Sequence, residues 1–258
     1  MGALIRRVVP PRLRPIGYLT NLVRKRTEDR VRLGPFTGMR YIDQAIGSAY
    51  LPKLLGTYER ELTEVIESVC ASRPSLIVDV GSAEGYYAVG LAKRNPQARV
   101  VAFEREATGR EALRTMAQLN RVQDQIQVLG NCEPTELQAA LCAGNDGYLG
   151  ASPQRPFLLC DVEGDEGRLL DPAAVPGLRR ASILVETHEF VFPGITNRLR
   201  RRFAATHSVN CIWQTDRARA DFPFRGAATW LLPKSYLDWA VSEWRPSRMC
   251  WLWMRLRE

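Results

Sequence analysis

The strongest chemical signal in the chain is the run Leu76-Ile77-Val78-Asp79-Val80-Gly81-Ser82-Ala83-Glu84-Gly85. A short apolar, β-rich run carries one acid at its end and breaks into a glycine turn, and helix-forming residues follow from Tyr86 to Arg94. Such a strand, turn and helix bring the backbone close to a ligand at the carboxyl edge of a parallel sheet. The turn also aims helix N-terminal N–H groups at an anionic group. The glycines stand at 81 and 85, with Ala83 and Tyr86 in the positions where a dinucleotide fingerprint has its other glycines, so a pyrophosphate cradle fits poorly. Glu104 ends the next apolar run, 25 residues after Asp79. An acid there is placed to accept hydrogen bonds from two ribose hydroxyls; a strand-ending acid that caps the following helix is the other reading.

Two further acidic groups follow, Leu158-Leu159-Cys160-Asp161-Val162-Glu163-Gly164-Asp165-Glu166 and Ile183-Leu184-Val185-Glu186-Thr187-His188-Glu189. Both are apolar strands that end in acids, so Asp161, Glu163, Glu186 and His188 are expected to converge at the same carboxyl edge. Cys160 precedes the acid inside its strand and is expected to point into the core. This acidic group could hold a divalent metal, although nothing in the spacing requires one.

Together with the run from Leu76 to Gly85 and the Phe103-Glu104 position, these segments resemble the FkbM-type class I S-adenosylmethionine-dependent methyltransferases over roughly residues 75 to 190. The fourth strand of that family ends in an Asp-x-Glu-Gly-x-Glu pattern. The resemblance implies a transferase of the EC 2.1.1 type with S-adenosyl-L-methionine as cofactor, held by Asp79, Gly81, Ser82, Gly85, Glu104 and Asp161. It also implies Asn131 near the adenine, although Asn131 equally suits a local turn. Thr57 and Glu59, in the mixed segment Lys53 to Leu62, fall where such enzymes carry a lid over the methionine end; a surface helix kinked at Gly56 is the alternative.

The resemblance points to O-methylation of a small-molecule or glycan hydroxyl, with Asp161, Glu163 and His188 as catalytic groups. A hydroxyl acceptor gains from in-line positioning and from a base that takes its proton. His188, one of two histidines, is such a base or a structural hydrogen-bonding group. Neither an Asn-Pro-Pro-Tyr-like segment nor a Pro-Cys pair occurs at the fourth strand, which argues against base-amine and cytosine C5 methylation. An RNA or protein methyltransferase, or a catalytically silent cofactor-binding protein, is the alternative function.

The elements that must position these residues are legible from periodicity. Strands are expected over 75–80, 99–103, 126–129, 157–162, 182–186, 209–214 and 249–256. Helices are expected over 18–26, 86–94, 110–119, 135–141 and 197–204, with one long amphipathic helix over 51–70. The alternation implies a Rossmann-like, doubly wound, mostly parallel seven-stranded sheet with its last strand inserted antiparallel. Residues 1–70 would form a basic arm and lid helix, and residues 71–258 the methyltransferase domain.

The net charge of +8 is concentrated at the start: residues 1–32 carry nine basic side chains and two acids. A nearly neutral body argues against nucleic acid as partner, while the arm suits peripheral contact with an anionic membrane. Six scattered cysteines without zinc spacing, and no apolar stretch near the ~20 residues of a membrane span, lead to an expectation of a cytoplasmic protein.

Overall fold

The computed structural model describes residues 15–142, 155–245 and 247–257. Arg6, Arg7, Arg12 and Arg14 of the basic arm lie outside the described residues. In chain order the elements are α1 (Pro15–Thr27), α2 (Tyr50–Leu55), α3 (Thr63–Ser72), β1 (Leu76–Val80), α4 (Tyr86–Arg94), β2 (Arg99–Phe103) and α5 (Ala107–Asn120). There follow β3 (Ile126–Leu129), α6 (Pro134–Cys142), β4 (Phe157–Cys160), α7 (Glu166–Leu169), β5 (Ser182–Thr187), α8 (Ile195–Phe203) and β6 (His207–Trp213). The chain ends with α9 (Ala227–Trp230), α10 (Lys234–Val241) and β7 (Cys250–Leu256).

The described residues form two compact units: 15–60 with 215–244, and the described parts of 61–214 with those of 245–257. The second holds a seven-stranded sheet in the order β3-β2-β1-β4-β5-β7-β6. Strands β1 to β5 run parallel, and β7 pairs antiparallel with both β5 and β6. This is the expected doubly wound, Rossmann-like α/β sheet with a late antiparallel strand. Strand β1 is buried at all five positions, as a central parallel strand covered on both faces must be. On one face Val78, Val80, Leu158, Cys160 and Ile183 pack into one core cluster, each large aliphatic side chain contributing about 1.5–3 kcal/mol. Cys160 lies in that core as expected.

In the first unit α1 buries Leu19, Val23 and Thr27, and Pro15 occupies its first turn, where the missing N–H costs nothing. The single amphipathic helix expected over 51–70 is instead two helices, α2 and α3, with a 3₁₀ turn at Arg60–Leu62 before α3. Gly56 ends α2 with φ +76, and a Cβ there would stand 2.0 Å from the Leu33 carbonyl oxygen. The apolar period runs through 51–70, but the left-handed glycine cap interrupts the helix that carries it. Inside the same unit Arg217 and Glu243 form a buried ion pair of 2.6 Å. Arg217 Nε donates to the Thr57 carbonyl, and the Glu59 N–H donates to Glu243. No helix among the described residues is long and apolar enough to cross a membrane, and the six cysteines are free thiols.

Candidate active site at the carboxyl edge of the sheet

The strand order reverses between β1 and β4, and this is where ligands of open α/β sheets bind. Asp79 stands there, 1% exposed. Neither of its carboxylate oxygens has a hydrogen-bond partner among the described residues. Burial raises its pKa to about 7, and the neighbouring carboxylates of Asp161 and Glu104 add to the effect. A buried acid in this condition is completed by a cation or a set of donors.

The turn that follows is knit by its own backbone. Ser82 Oγ donates to the Asp79 carbonyl, and the Gly85 N–H to the Ser82 carbonyl. A Cβ on Gly81 would stand 1.7 Å from the Asp161 carbonyl oxygen, and one on Gly85 would press on Leu113 at 3.0 Å. Both glycines are therefore demanded by packing against β4 and α5, whatever the turn also holds. Ala83 adopts φ +47, a left-handed conformation that a glycine would take without strain.

Glu104 follows β2 and is engaged on both oxygens: Oε2 accepts the Ala83 N–H at 2.8 Å and Oε1 the Glu106 N–H at 2.7 Å. It thus caps the start of α5 and fastens the glycine turn. A carboxylate has about four lone-pair sites, so these two bonds leave capacity for ligand hydroxyls. Gly109 makes this placement feasible, since a Cβ there would lie 2.6 Å from Glu104 Cγ. Asn131 is exposed after β3 and donates to Glu133 at 2.6 Å, the local role that suits a turn. Thr57 and Glu59 belong to the first unit and are buried in it, with Thr57 Oγ1 lacking a partner.

At the ends of β4 and β5 the four expected groups do converge. His188 is 1% exposed; its Nδ1 is hydrogen-bonded to the wholly buried Glu166. Its Nε2 faces Glu163 Oε2 at 3.3 Å, Asp161 Oδ1 at 3.5 Å and Glu186 Oε2 at 3.6 Å. Burial disfavours the imidazolium, but the bond to Glu166 and the charges of Asp161, Glu166 and Glu163 outweigh it, so the pKa of His188 is raised. Burial raises the pKa of Asp161 against the lowering influence of His188 and Arg245. Glu163 sits above the cluster at φ +53, a left-handed conformation that costs a non-glycine residue about 1–2 kcal/mol. Arg245 is paired with Glu186.

Glu166 and Arg245 are the functional groups that sequence reasoning left without a role. Glu166 stood in the quoted pattern, three residues after Glu163, whereas Arg245 lies 59 residues from Glu186 with no local signal. Beyond the cluster Phe190, Val191 and Phe192 are 44–50% exposed, and the Phe190 ring stacks edge-on to His188. Two cavities of this unit, about 390 and 770 Å³, are lined instead by residues at the opposite edge and along β6 and β7.

No family model matches the chain, and no curated protein matches it. Among solved structures the chain is similar to the METTL16 methyltransferase domain, with a TM-score of 0.51 at 12% identity over 93% of this chain and 78% of that one. An O-methyltransferase from Bacillus cereus in complex with SAH aligns with a TM-score of 0.49 at 12% identity, over 99% and 96% of the two chains. TomG from Streptomyces achromogenes, an O-methyltransferase in complex with SAM, gives 0.47 at 13% over 83% and 88%. At such identities the likeness to the METTL16 domain establishes the fold alone: the α/β sheet is the one that methyltransferase domains use.

Proposed function

We propose that this protein is an S-adenosylmethionine-dependent methyltransferase that methylates a hydroxyl of a small molecule or glycan. The observation that carries the reading is the unpartnered, buried carboxylate of Asp79 at the switch point of a methyltransferase-type sheet. Asp79, Glu104, Asp161 and Glu163 give this edge an excess of negative charge, which repels a pyrophosphate and suits a cofactor carrying an ammonium and a sulfonium. The residues fit that group: Asp79 supplies the counter-charge, Glu104 has capacity for ribose hydroxyls, and the turn Gly81 to Gly85 provides the bed. When bound, the cofactor supplies an electrophilic methyl group.

The chain's own residues do the rest. Asp161 and Glu163 face the acceptor and take up its hydroxyl proton, and His188 Nε2 stands beside them at 3.5 and 3.3 Å. Glu166 fixes that ring. Phe190, Val191 and Phe192 offer a surface to the carbon skeleton of the acceptor. Within the methyltransferases we favour the FkbM type, because Glu166, the last acid of its fourth-strand pattern, is the residue that orients His188. Five arginines, Arg155, Arg200, Arg201, Arg255 and Arg257, line the cavities away from the carboxyl edge, so they are not aimed at the acceptor and give no support to an RNA substrate.

Calorimetric titration with S-adenosylmethionine and S-adenosylhomocysteine tests the reading. Wild-type protein should bind both, and Asp79→Asn should bind more weakly. A folded wild-type chain that binds neither overturns it.

A further inference from the structure

The arrangement around His188 Nε2 is not that of an ion pair. An imidazolium paired with one carboxylate closes to about 2.7–2.9 Å. Here three oxygens from three carboxylates stand at nearly equal distances of 3.3, 3.5 and 3.6 Å, and no hydrogen bond is made at Nε2 among the described residues. Asp161 Oδ1 is buried and likewise makes no hydrogen bond. Metal–nitrogen and metal–oxygen bonds of about 2.1 Å place neighbouring donors roughly 3.0 Å apart in an octahedron and 3.4 Å apart in a tetrahedron. The observed spacings lie within a few tenths of an ångström of those edges, and donor atoms of Asp161, Glu186 and His188 all lie within 4.8 Å of one another.

The surroundings have the second layer that such a centre requires. A metal-bound histidine donates its other ring N–H to a carboxylate, which fixes the tautomer and the aim of the donor nitrogen. The His188 Nδ1–H donates in this way to Glu166, which has no exposure to water and also accepts the Gly164 N–H at 3.1 Å. Glu186 presents Oε2 to the ring while its Oε1 is held by Arg245.

We infer that His188, Asp161 and Glu186 form a site for one divalent transition-metal cation, with Glu163 on its solvent side. The nitrogen donor favours a cation of the manganese-to-zinc series over magnesium or calcium, which prefer oxygen alone. The existence of the site does not depend on the methyl-transfer reading. Its role does: a bound cation would acidify an acceptor hydroxyl and fix its orientation next to the cofactor.

The test uses the full chain, stripped with a chelator and titrated separately with manganese and zinc ions by calorimetry, with manganese also followed by electron paramagnetic resonance. One cation per chain is expected. Asp161→Asn removes a ligand and Glu166→Gln loosens the ring, so each should weaken binding about 10- to 100-fold, in protein whose circular dichroism matches wild type. Asp161 is 27% exposed at its side chain and is the variant expected to fold without difficulty. Absence of binding by either cation overturns the proposal, as does affinity unchanged in the Asp161→Asn protein. A chain that binds S-adenosylhomocysteine but no cation refutes the site and leaves the enzyme reading standing; the reverse result refutes the enzyme reading and keeps the site.

Discussion

The two halves of the carboxyl edge solve the same problem in opposite ways. At the end of β1 the carboxylate of a buried acid, Asp79, has no hydrogen-bond partner among the described residues. At the ends of β4 and β5 the acids are gathered around an imidazole and a guanidinium supplied by the chain itself. The difference separates a lone acid suited to a cationic cofactor from acids assembled with a nitrogen donor, suited to a divalent metal ion and to the acceptor it would orient. The first should govern affinity and the second turnover.

The sharpest way to break that division is Asp161→Asn, which keeps the shape and removes the charge. Turnover should fall about 10² to 10⁴-fold if this carboxylate takes the acceptor proton, while calorimetric affinity for S-adenosylhomocysteine changes little. A comparable loss in both would merge the two halves into one site.

Asp79 gives the next largest effect, and its sign is opposite to that of an ordinary surface acid. Its folded pKa of about 7 lies above the ordinary 3.8, so between those values the folded state holds a proton that the unfolded state has released. Stability of the cofactor-free protein should fall as pH rises from about 4 to 7, by up to ~4 kcal/mol from this group. Denaturant unfolding at a series of pH values should show that fall in wild type and a flatter profile in Asp79→Asn. A cationic ligand that pairs with Asp79 should flatten the wild-type profile too, and should itself bind more weakly below pH 7.

Glu104→Gln should weaken cofactor binding by about 1.5–3 kcal/mol, the range for hydrogen bonds to a charged group. Gly109→Ala, which crowds Glu104 Cγ, should act in the same direction without touching a ligand; equal affinity for both variants and wild type would leave Glu104 as a cap only. The smallest effect belongs to Ala83→Gly, which relieves the left-handed conformation and should raise the thermal midpoint, by up to about 1 kcal/mol of stability.

Most of the sheet was legible because its strands are short, buried runs whose ends coincide with a change of period: β2, β3 and α4 fall on the expected residues. Asp79, Glu104, Asp161, Glu163 and His188 were legible for the same reason, since each follows or ends such a run. What periodicity could not show was anything set by a contact distant in sequence. Residues 215–244 join the N-terminal segment through the Arg217–Glu243 pair and its bonds to Thr57 and Glu59, and no local pattern announces it. The break at Gly56 is dictated by Leu33, and the value of Gly109 by Glu104. Arg245 is likewise visible only after β7 has been placed beside β5.

That placement bears on the order of synthesis. Strand β7 is the last in chain order, yet it stands between β5 and β6, which do not pair with each other. While the chain is being made, β6 emerges with no sheet neighbour, and the outer side of β5 stays open until residues 250–256 have left the ribosome. Arg245, five residues ahead of β7, arrives at Glu186 with the same closing step. A nascent chain stalled before this point would carry Asp161, Glu186 and His188 without the guanidinium that holds Glu186, and with an unpaired strand edge prone to association. The chain therefore closes its sheet and completes its acidic centre in one late event, and a truncated product would have neither.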